Sequence, residues 1–292
     1  MALVPFDDRD GWIWFDGEFV PWRDAKIHVL THGLHYASCV FEGQRIYDGE
    51  VFELTRHTER LFNSARILDM KIPFSVAEID QACKESVAKA GLADAYMRPV
   101  VWRGSEQMSV PAQQAKIHVA VAVWPWPSYF DPETKKRGIR LDHAIYRRPA
   151  ADAAPWESKA AGLYMICTLS KHAAEARGYQ DAMMLDSRGY VAEGTGANIF
   201  FVRDGALHTP TPDCFLNGIT RQTVIALARK AGIEVVERHI RPEELSTFNE
   251  CFLTGSAAEV TPVSEIGEHR FTPGNVSLSL MDDYARLVRR QG

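Results

Sequence analysis

Lys159 and Glu193 are the two residues whose surroundings point most directly to covalent chemistry. Lys159 lies in the segment 157–164, ESKAAGLY, and Glu193 begins the segment 193–200, EGTGANIF. Small apolar neighbours favour a neutral amine, because desolvation disfavours the ammonium form. A neutral amine can attack a carbonyl and form a Schiff base. The alternative is a solvated lysine at the end of a strand or helix, since most lysines are exposed.

The composition is that of an ordinary globular protein. The chain has 292 residues, of which 46% are hydrophobic and 24% charged, and this length favours about two domains. A formal net charge of −5 argues against a general nucleic-acid or anionic-membrane binder. The five cysteines are scattered and form no C-x-x-C pair, so we expect neither a disulfide framework nor a structural zinc site.

The amino-terminal sequence and the hydropathy pattern favour the cytoplasm. Residues 1–10 contain no basic region followed by an apolar run, and no segment has the length and hydropathy of a membrane span. We therefore expect a cytoplasmic protein.

The first part of the chain predicts strands followed by two helices. Asp16-Gly17 is a hairpin signal between two apolar runs, and residues 37–43 and 45–47 have strand character. Residues 55–70 have helical periodicity. Ser75 and Glu78 form a capping box that begins a second helix, for which Gly91 is a suitable end. Strands are expected at 96–102 and 117–124.

Three prolines within residues 125–132 mark a boundary between two domains, since none fits inside a sheet or helix. We predict a smaller α/β domain over 1–125, an interdomain loop over 126–138 and a larger α/β domain over 139–292. Trp126 and Tyr129 in the loop either face a ligand cleft or pack between the domains.

The second half alternates strands and helices and offers two places for a phosphate. A helix is expected from Leu169 to Arg177. Gly218-Ile219-Thr220 begins another helix, where backbone N–H groups can bind an anion, and Gly255-Ser256-Ala257 is small enough for close approach. Arg60 could supply a basic fork, although a solvated helix arginine is the alternative.

Motifs of several other enzyme classes are missing. The chain has no G-x-x-x-x-G-K-[ST], G-x-G-x-x-G, H-E-x-x-H or G-x-S-x-G sequence. Its ten histidines show no metal-ligand spacing, so His32 and His35 are expected to pack rather than bind metal. We therefore predict no metal site.

Taken in order, the motifs resemble the fold-type IV pyridoxal phosphate enzymes, and among these the branched-chain amino acid aminotransferases. The resemblance runs from residue 14 to residue 262 and includes nine segments in one order. These segments are WFDG at 14–17, HY at 35–36, VFEG at 40–43, HTERL at 57–61, YMRP at 96–99, SKAAG at 158–162, EGTGANIF at 193–200, GITR at 218–221 and EVTP at 259–262.

The resemblance implies roles for individual residues. Lys159 would bind pyridoxal phosphate covalently and move a proton between Cα and the cofactor C4′. Glu193 would pair with the ring nitrogen, which keeps the ring able to accept electrons. Tyr164 would bind the phenolic oxygen and Leu216 would pack on the ring. The phosphate would be held by Arg60 and by the backbone at four residues: Ile219, Thr220, Ser256 and Ala257.

The substrate pocket implied by the resemblance has an apolar wall for leucine and one arginine, Arg98, for the distal carboxylate of glutamate. Substrate contacts would also come from Tyr36, Tyr96, Trp126, Tyr129, Ala257 and Ala258. Two departures bear on specificity. Ala37 stands where the family commonly has glycine, and Trp102-Arg103 places a bulky charged pair after the YMRP strand.

The fold implied is α/β, with two α/β domains and the cofactor at their interface, in a homodimer or a higher homo-oligomer. The reaction would move the amino group of leucine, isoleucine or valine to 2-oxoglutarate, reversibly and in two half-reactions through pyridoxamine phosphate. The alternatives are another fold-type IV enzyme, namely a D-amino acid or (R)-amine transaminase or aminodeoxychorismate lyase, and a non-catalytic binding protein. The YMRP strand favours the branched-chain interpretation, and Lys159 with Glu193 argues against a non-catalytic copy.

Overall fold

The computed structural model of the chain describes residues 4–126 and 132–290. The chain divides into two compact units. The first unit contains residues 1–127 and the short segment 158–162, and the second contains 128–157 and 163–292. The segment that carries Lys159 therefore belongs to the first unit, although in sequence it lies inside the second.

The described residues form seven α-helices. They are α1 (His32–Tyr36), α2 (Leu54–Ile67), α3 (Val76–Ala90), α4 (Pro132–Arg137), α5 (Met165–Ala176), α6 (Ile219–Lys230) and α7 (Asn275–Val288). Short 3₁₀ helices lie at Trp22–Asp24, Ala161–Tyr164 and Pro242–Thr247.

The strands of the first unit form one sheet. They are β1 (Trp12–Phe15), β2 (Glu18–Pro21), β3 (Cys39–Phe41), β4 (Gln44–Tyr47), β5 (Glu50–Val51), β6 (Ala95–Arg103) and β7 (Ile117–Pro125). Their order is β2-β1-β7-β6-β4-β5, and β3 pairs with β6. The long strand β6, which carries Tyr96 and Arg98, therefore lies in the middle of the sheet, where its neighbours fix its side chains.

Helices α2 and α3 cover this sheet with apolar side chains that include Leu61, Ile79 and Cys83. The predicted capping box of α3 is confirmed, because the Ser75 side chain accepts from the Glu78 backbone and the Glu78 side chain accepts from the Ser75 backbone. Gly91 ends the helix with φ of 65°, in the left-handed region that favours glycine. The shared apolar cluster, which includes Leu61, places α2 and with it Arg60 against the sheet.

The strands of the second unit form the other sheet. They are β8 (Ile139–His143), β9 (Asp181–Leu185), β10 (Val191–Gly194), β11 (Asn198–Arg203), β12 (Ala206–Thr209), β13 (Val235–Glu237), β14 (Glu250–Gly255), β15 (Glu259–Ile266) and β16 (His269–Arg270). Their order is β10-β9-β8-β15-β14-β11-β12-β13, with β16 paired to β15. Because β10 also pairs with β11, six of these strands close into a ring.

The ring brings several predicted site residues together at the ends of three strands. Glu193 of β10 pairs with Asn198 of β11, and Asn198 pairs with Thr254 of β14. The turn that follows Gly255 and the residues around Glu193 therefore occupy one edge of the second unit. Among the described residues, no helix is long and apolar enough to cross a membrane.

Candidate active site

Lys159 is held through its backbone by the first unit. Its N–H donates to Ser64 Oγ at 3.0 Å, and its carbonyl accepts from the Phe41 N–H at 3.2 Å. The Ser158 hydroxyl donates to the Ser64 carbonyl at 3.0 Å. The side chain is half-buried, and Nζ lies 5.0 Å from the centre of the Phe41 ring. The lysine thus projects from a fixed backbone across an aromatic face.

Arg60 forms a charged network with two residues to which the sequence assigned no role. Its Nε and Nη2 donate to the two Glu42 oxygens at 2.7 and 2.8 Å. Glu42 also accepts from His57 Nδ1 at 2.7 Å, and both Glu42 and His57 are buried. A carboxylate can only accept, so the proton of this imidazole lies on Nδ1. The guanidinium is therefore fixed in orientation by the bidentate pair.

The network also fixes protonation states. Burial raises the pKa of the Glu42 carboxyl, but the adjacent Arg60 and His57 overcome this and hold that pKa well below its ordinary value of 4.5. Burial lowers the pKa of His57 from its ordinary value of 6.5, and the opposing effect of Glu42 is smaller. The network therefore holds Glu42 as an anion and His57 as a neutral imidazole.

The buried neutral imidazole predicts an acid-sensitive component of stability. The unfolded chain binds a proton at His57 more readily than the folded chain, so stability falls as pH drops below about 6.5. His57→Gln should remove this component, and the urea midpoint should change less between pH 7.5 and pH 5.5 than in the wild type. His172→Gln, at an exposed position, should keep the wild-type dependence. Equal dependence in His57→Gln would show that the imidazole titrates as in the unfolded chain.

An aromatic wall lies on the sheet of the first unit. The Tyr96 ring lies 5.1 Å from the Trp124 ring and 5.0 Å from the Trp126 ring, between centres. A Cβ at Gly43 would come within 2.0 Å of the Tyr96 hydroxyl, so this glycine gives the hydroxyl its place. The structure thus brings together Tyr96 and Trp126, two of the predicted substrate residues.

Arg98 lies beside this wall. Its Nη2 donates to the Tyr96 hydroxyl at 3.3 Å, and its guanidinium carbon lies 4.6 Å from the centre of the Phe41 ring. Its Nε is buried and has no hydrogen-bond partner among the described residues. An unpartnered buried donor is costly.

Tyr36 and Tyr129 are the other aromatic residues predicted for the substrate pocket. Tyr36 ends α1 and is 45% exposed, and its ring packs against His32 at 4.7 Å between centres. Tyr129 lies outside the described residues. Both residues therefore stay predictions as substrate contacts.

The structure shows the backbone of Ala37 and the contacts of Arg103, which belong to the two departures from the family pattern. Ala37 follows α1 with φ of 55°, a left-handed conformation in which glycine costs less than alanine. Arg103 is buried, and its guanidinium donates to the carbonyls of Asp69 at 2.7 Å and Ala112 at 2.9 Å. The hydrogen bonds of Arg103 therefore link the loop after β6 to the end of α2. Its guanidinium is used by these backbone carbonyls.

Glu193 lies buried in the second unit beside a buried arginine. Its Oε1 is 3.2 Å from Arg148 Nε, an ion pair without hydrogen-bond alignment. Arg148 also donates to the Leu163 carbonyl at 3.3 Å and to Cys167 Sγ at 3.5 Å. Burial lowers the pKa of Arg148, but Glu193 overcomes this and holds it above the ordinary value. A permanent cation beside Glu193 favours the carboxylate form that a protonated ring nitrogen requires.

The predicted phosphate residues of α6 lie at the start of that helix. Gly218 is the N-cap, and Ile219 and Thr220 are buried in the first turn. The first N–H groups of a helix have no partner within it and attract anions. Arg221 is buried and anchors this end by donating to Asn217 Oδ1 at 2.9 Å and to Glu237 at 2.8 Å.

Tyr164, Ala257 and Ala258 line one cavity of about 260 Å³ in the second unit, together with Thr195 and Gly196. Ser256 and Ala257 belong to the turn between β14 and β15. This turn lies at the edge where Glu193 and Asn198 pair. The second unit therefore brings its predicted ring and phosphate residues to one side.

Asp186, Asp213 and Cys214 are a possible metal-binding group, because their ligand atoms lie within 4.8 Å of one another. However, Arg188 Nη2 donates to Asp186 at 2.6 Å and to Asp213 at 2.9 Å. One guanidinium thus pairs with both carboxylates and offsets part of their charge.

Comparison with known proteins identifies the family. A family model described as amino-transferase class IV matches residues 39–266. The chain belongs to the class IV aminotransferases. It is 44% identical over 288 residues to a branched-chain-amino-acid aminotransferase of Pseudomonas aeruginosa, covering 96% of this chain and 94% of that protein. It is 40% identical over 273 residues to the Escherichia coli enzyme of the same name, covering 90% and 88%.

Solved structures of the family share the fold. The branched-chain aminotransferase of Thermoproteus uzoniensis with norvaline superposes with a TM-score of 0.92 at 37% identity, covering 97% of this chain and 96% of that one. The enzyme of Thermobaculum terrenum in its PLP form gives a TM-score of 0.89 at 30% identity, covering 97% and 95%. The expected fold-type IV α/β architecture is therefore confirmed.

Four residues of this class IV aminotransferase were missed as site candidates. Glu42 and His57 lie within the family segments, but their spacing in the sequence does not indicate a role in the site. Arg148 is distant from Glu193 in sequence, and no motif marks it. Asn198, a fourth member of the site, had a usable signal, because Glu193 and Asn198 flank the tight turn of a hairpin and must pair across it.

Proposed function

We propose that this class IV aminotransferase is a branched-chain amino acid aminotransferase that uses pyridoxal 5′-phosphate. The observation that carries the proposal is Arg98, which presents a buried unpartnered Nε beside an aromatic wall. Apolar side chains fit such a wall, and a distal carboxylate fits the arginine. The relatives at 44% and 40% identity carry this name.

The residues present fit the cofactor. Glu193 beside Arg148 matches a protonated ring nitrogen, and the start of α6 with the turn at Ser256 and Ala257 matches a phosphate. When bound, the cofactor supplies an electron sink for the substrate Cα. Lys159 would then hold and return the Cα proton, and Tyr164 would bind the phenolic oxygen. Arg60, oriented by Glu42, would pair with the phosphate.

Substrate recognition would require two kinds of contact from the first unit. Tyr96 and Trp126 would exclude water from an aliphatic side chain, and Arg98 would bind the distal carboxylate of glutamate or 2-oxoglutarate. Ala257 and Ala258 remain predicted substrate residues. The resemblance also assigns Tyr36 and Tyr129 to the pocket, and both assignments remain predictions.

A homodimer is part of the proposal. Val29, Leu34 and Val110 of the first unit are 71%, 62% and 77% exposed. The loop that carries Val110 is joined to α1 by a hydrogen bond between His32 Nε2 and the Ser109 carbonyl at 2.9 Å. Apolar residues at such exposure indicate a surface that another chain covers. We also place the protein in the cytoplasm.

Arg98→Ala tests the proposal through dual recognition. With 2-oxoglutarate as acceptor, the wild type should use L-leucine, L-isoleucine and L-valine in preference to D-amino acids and (R)-amines. The variant should lose roughly tenfold to hundredfold in kcat/KM for the glutamate half-reaction, because a lost charge-assisted bond costs about 1.5–3 kcal/mol. The leucine half-reaction has no distal carboxylate, so it should change much less.

Single-turnover measurements of each half-reaction give the two values separately. Arg66→Ala is a matched control, because Arg66 lies on an exposed part of α2 and donates to Asn63. Equal losses on glutamate and leucine would show a structural arginine at position 98. A preference for D-amino acids or (R)-amines would favour another fold-type IV activity.

A further inference from the structure

We propose that Asn198 is a positioning residue that couples the carboxylate for the cofactor ring to the helix start for its phosphate. The inference rests on the proposed function. Asn198 begins β11 and is buried. Its Nδ2 donates to Glu193 Oε2 at 3.3 Å and to the Leu216 carbonyl at 3.0 Å. Its Oδ1 accepts from the Gly218 N–H at 3.1 Å.

The orientation of this amide is determined by its partners. The Gly218 N–H can only donate, and the Leu216 carbonyl can only accept. Asn198 must therefore turn its oxygen to Gly218 and its nitrogen to Leu216, and the same nitrogen faces Glu193. One planar group thus sets the distance between Glu193 and the loop that begins α6.

Gly218 shows how closely the two parts approach. A Cβ at this position would lie 2.3 Å from Asn198 Oδ1, well inside van der Waals contact. The backbone of Gly218 has φ of −61° and ψ of 142°, a conformation that alanine also adopts. The glycine is therefore needed for the approach of Asn198 and not for its own conformation.

The coupling has a physical use. The ring nitrogen and the phosphate of one cofactor are a fixed distance apart, so the protein must hold their partners at a matching distance. Catalytic groups must be held within about 0.5 Å of their productive positions. Arg148 neutralises the Glu193 charge, but within the described residues it forms no hydrogen bond to Leu216 or Gly218. Asn198 forms hydrogen bonds to Glu193, Leu216 and Gly218.

The test measures two properties of the purified holoenzyme. One is the rate at which pyridoxal phosphate leaves on dilution, and the other is the pH dependence of the bound cofactor's absorbance spectrum. Asn198→Ala should release the cofactor about tenfold faster or more, because at least two buried hydrogen bonds are lost. It should also shift the spectral pH profile by about one unit, since Glu193 loses a donor.

Gly218→Ala tests the coupling without altering Asn198 or Glu193. The added methyl displaces the Asn198 amide, so this variant should also shift the spectral profile. Arg60→Lys is the matched control, because it removes the guanidinium fork proposed for the phosphate, keeps a cation beside Glu42 and alters neither Asn198 nor Gly218. It should release the cofactor faster and keep the wild-type profile. Thr209→Val, which loses one buried hydrogen bond to the Ile199 carbonyl, should change thermal stability only.

The outcomes separate this inference from the proposed function. A wild type without a bound chromophore or without transamination would overturn both. The coupling alone would be overturned if the wild type is active and both Asn198→Ala and Gly218→Ala keep the wild-type spectral pH profile. Glu193 and the start of α6 would then be independent of each other. Variants that fail to fold would be recognised by thermal denaturation, and Gly218→Ala then decides the question, since its backbone conformation is allowed to alanine.

Discussion

Lys159→Ala is expected to reduce transamination roughly a hundredfold to ten-thousandfold, the range for loss of a positioned proton-transfer group, with loss of the covalent link in addition. The backbone of Lys159 is fixed by Ser64 and Phe41, so alanine should leave the fold unchanged. In the wild type, borohydride should fix the cofactor on the peptide that contains Lys159. The measurements are the single-turnover rate with L-leucine and peptide mapping after reduction.

Lys89→Ala provides the matched control for this experiment. Lys89 Nζ also lies over aromatic rings, 4.4 Å from the centre of Trp12 and 5.1 Å from that of Phe19. Lys89→Ala therefore removes a lysine that has a similar aromatic contact but no assigned role in the site. This control should retain full turnover and the label on Lys159. A label on any other lysine would refute the central assignment.

Glu193→Gln is expected to reduce turnover roughly a hundredfold to thousandfold, the cost of removing one preorganised electrostatic group. Glutamine has the shape of glutamate and can still accept from Asn198, but it carries no charge. The neighbouring Arg148 would then be a buried cation without its carboxylate at 3.2 Å, and the ring nitrogen would lose its anionic partner. The phosphate residues are unchanged, so the cofactor should remain bound.

The measurements for this variant are kcat with L-leucine and 2-oxoglutarate and the absorbance of the bound cofactor. Glu265→Gln is a matched control, because Glu265 also lies on a strand of the second unit and pairs with Arg140 at 2.9 Å. It should keep turnover near that of the wild type. Unchanged turnover in Glu193→Gln would mean that the ring nitrogen has another partner.

Elements with local signals were predicted correctly from the sequence. The hairpin at Asp16-Gly17 and the α3 helix between Ser75 and Gly91 were both found. Their signals are contained within a few residues, so no distant contact is needed to determine them. For elements without such signals, the predicted ends were wrong. Helix α5 begins at Met165 instead of Leu169, since no side chain caps it.

The length of α2 shows the same dependence on local signals. The helical pattern predicts an end at Met70, whereas the helix ends at Ile67 and Asp69 adopts φ of 53°. The carbonyl of Asp69 accepts from Arg103. The two residues are distant in sequence, and hydrophobic periodicity carries no information about such a hydrogen bond.

The sequence by itself determined the chemistry of this protein: the lysine, the carboxylate, the glycines before α6 and the order of the motifs. Only the tertiary structure decided how those groups are held. It placed Glu42 and His57 against Arg60, Arg148 against Glu193, and Asn198 between Glu193 and Gly218. The physical reason is that a residue's reactivity follows from its own side chain and near neighbours. Its orientation and charge state follow from partners that chain folding alone brings within hydrogen-bond distance.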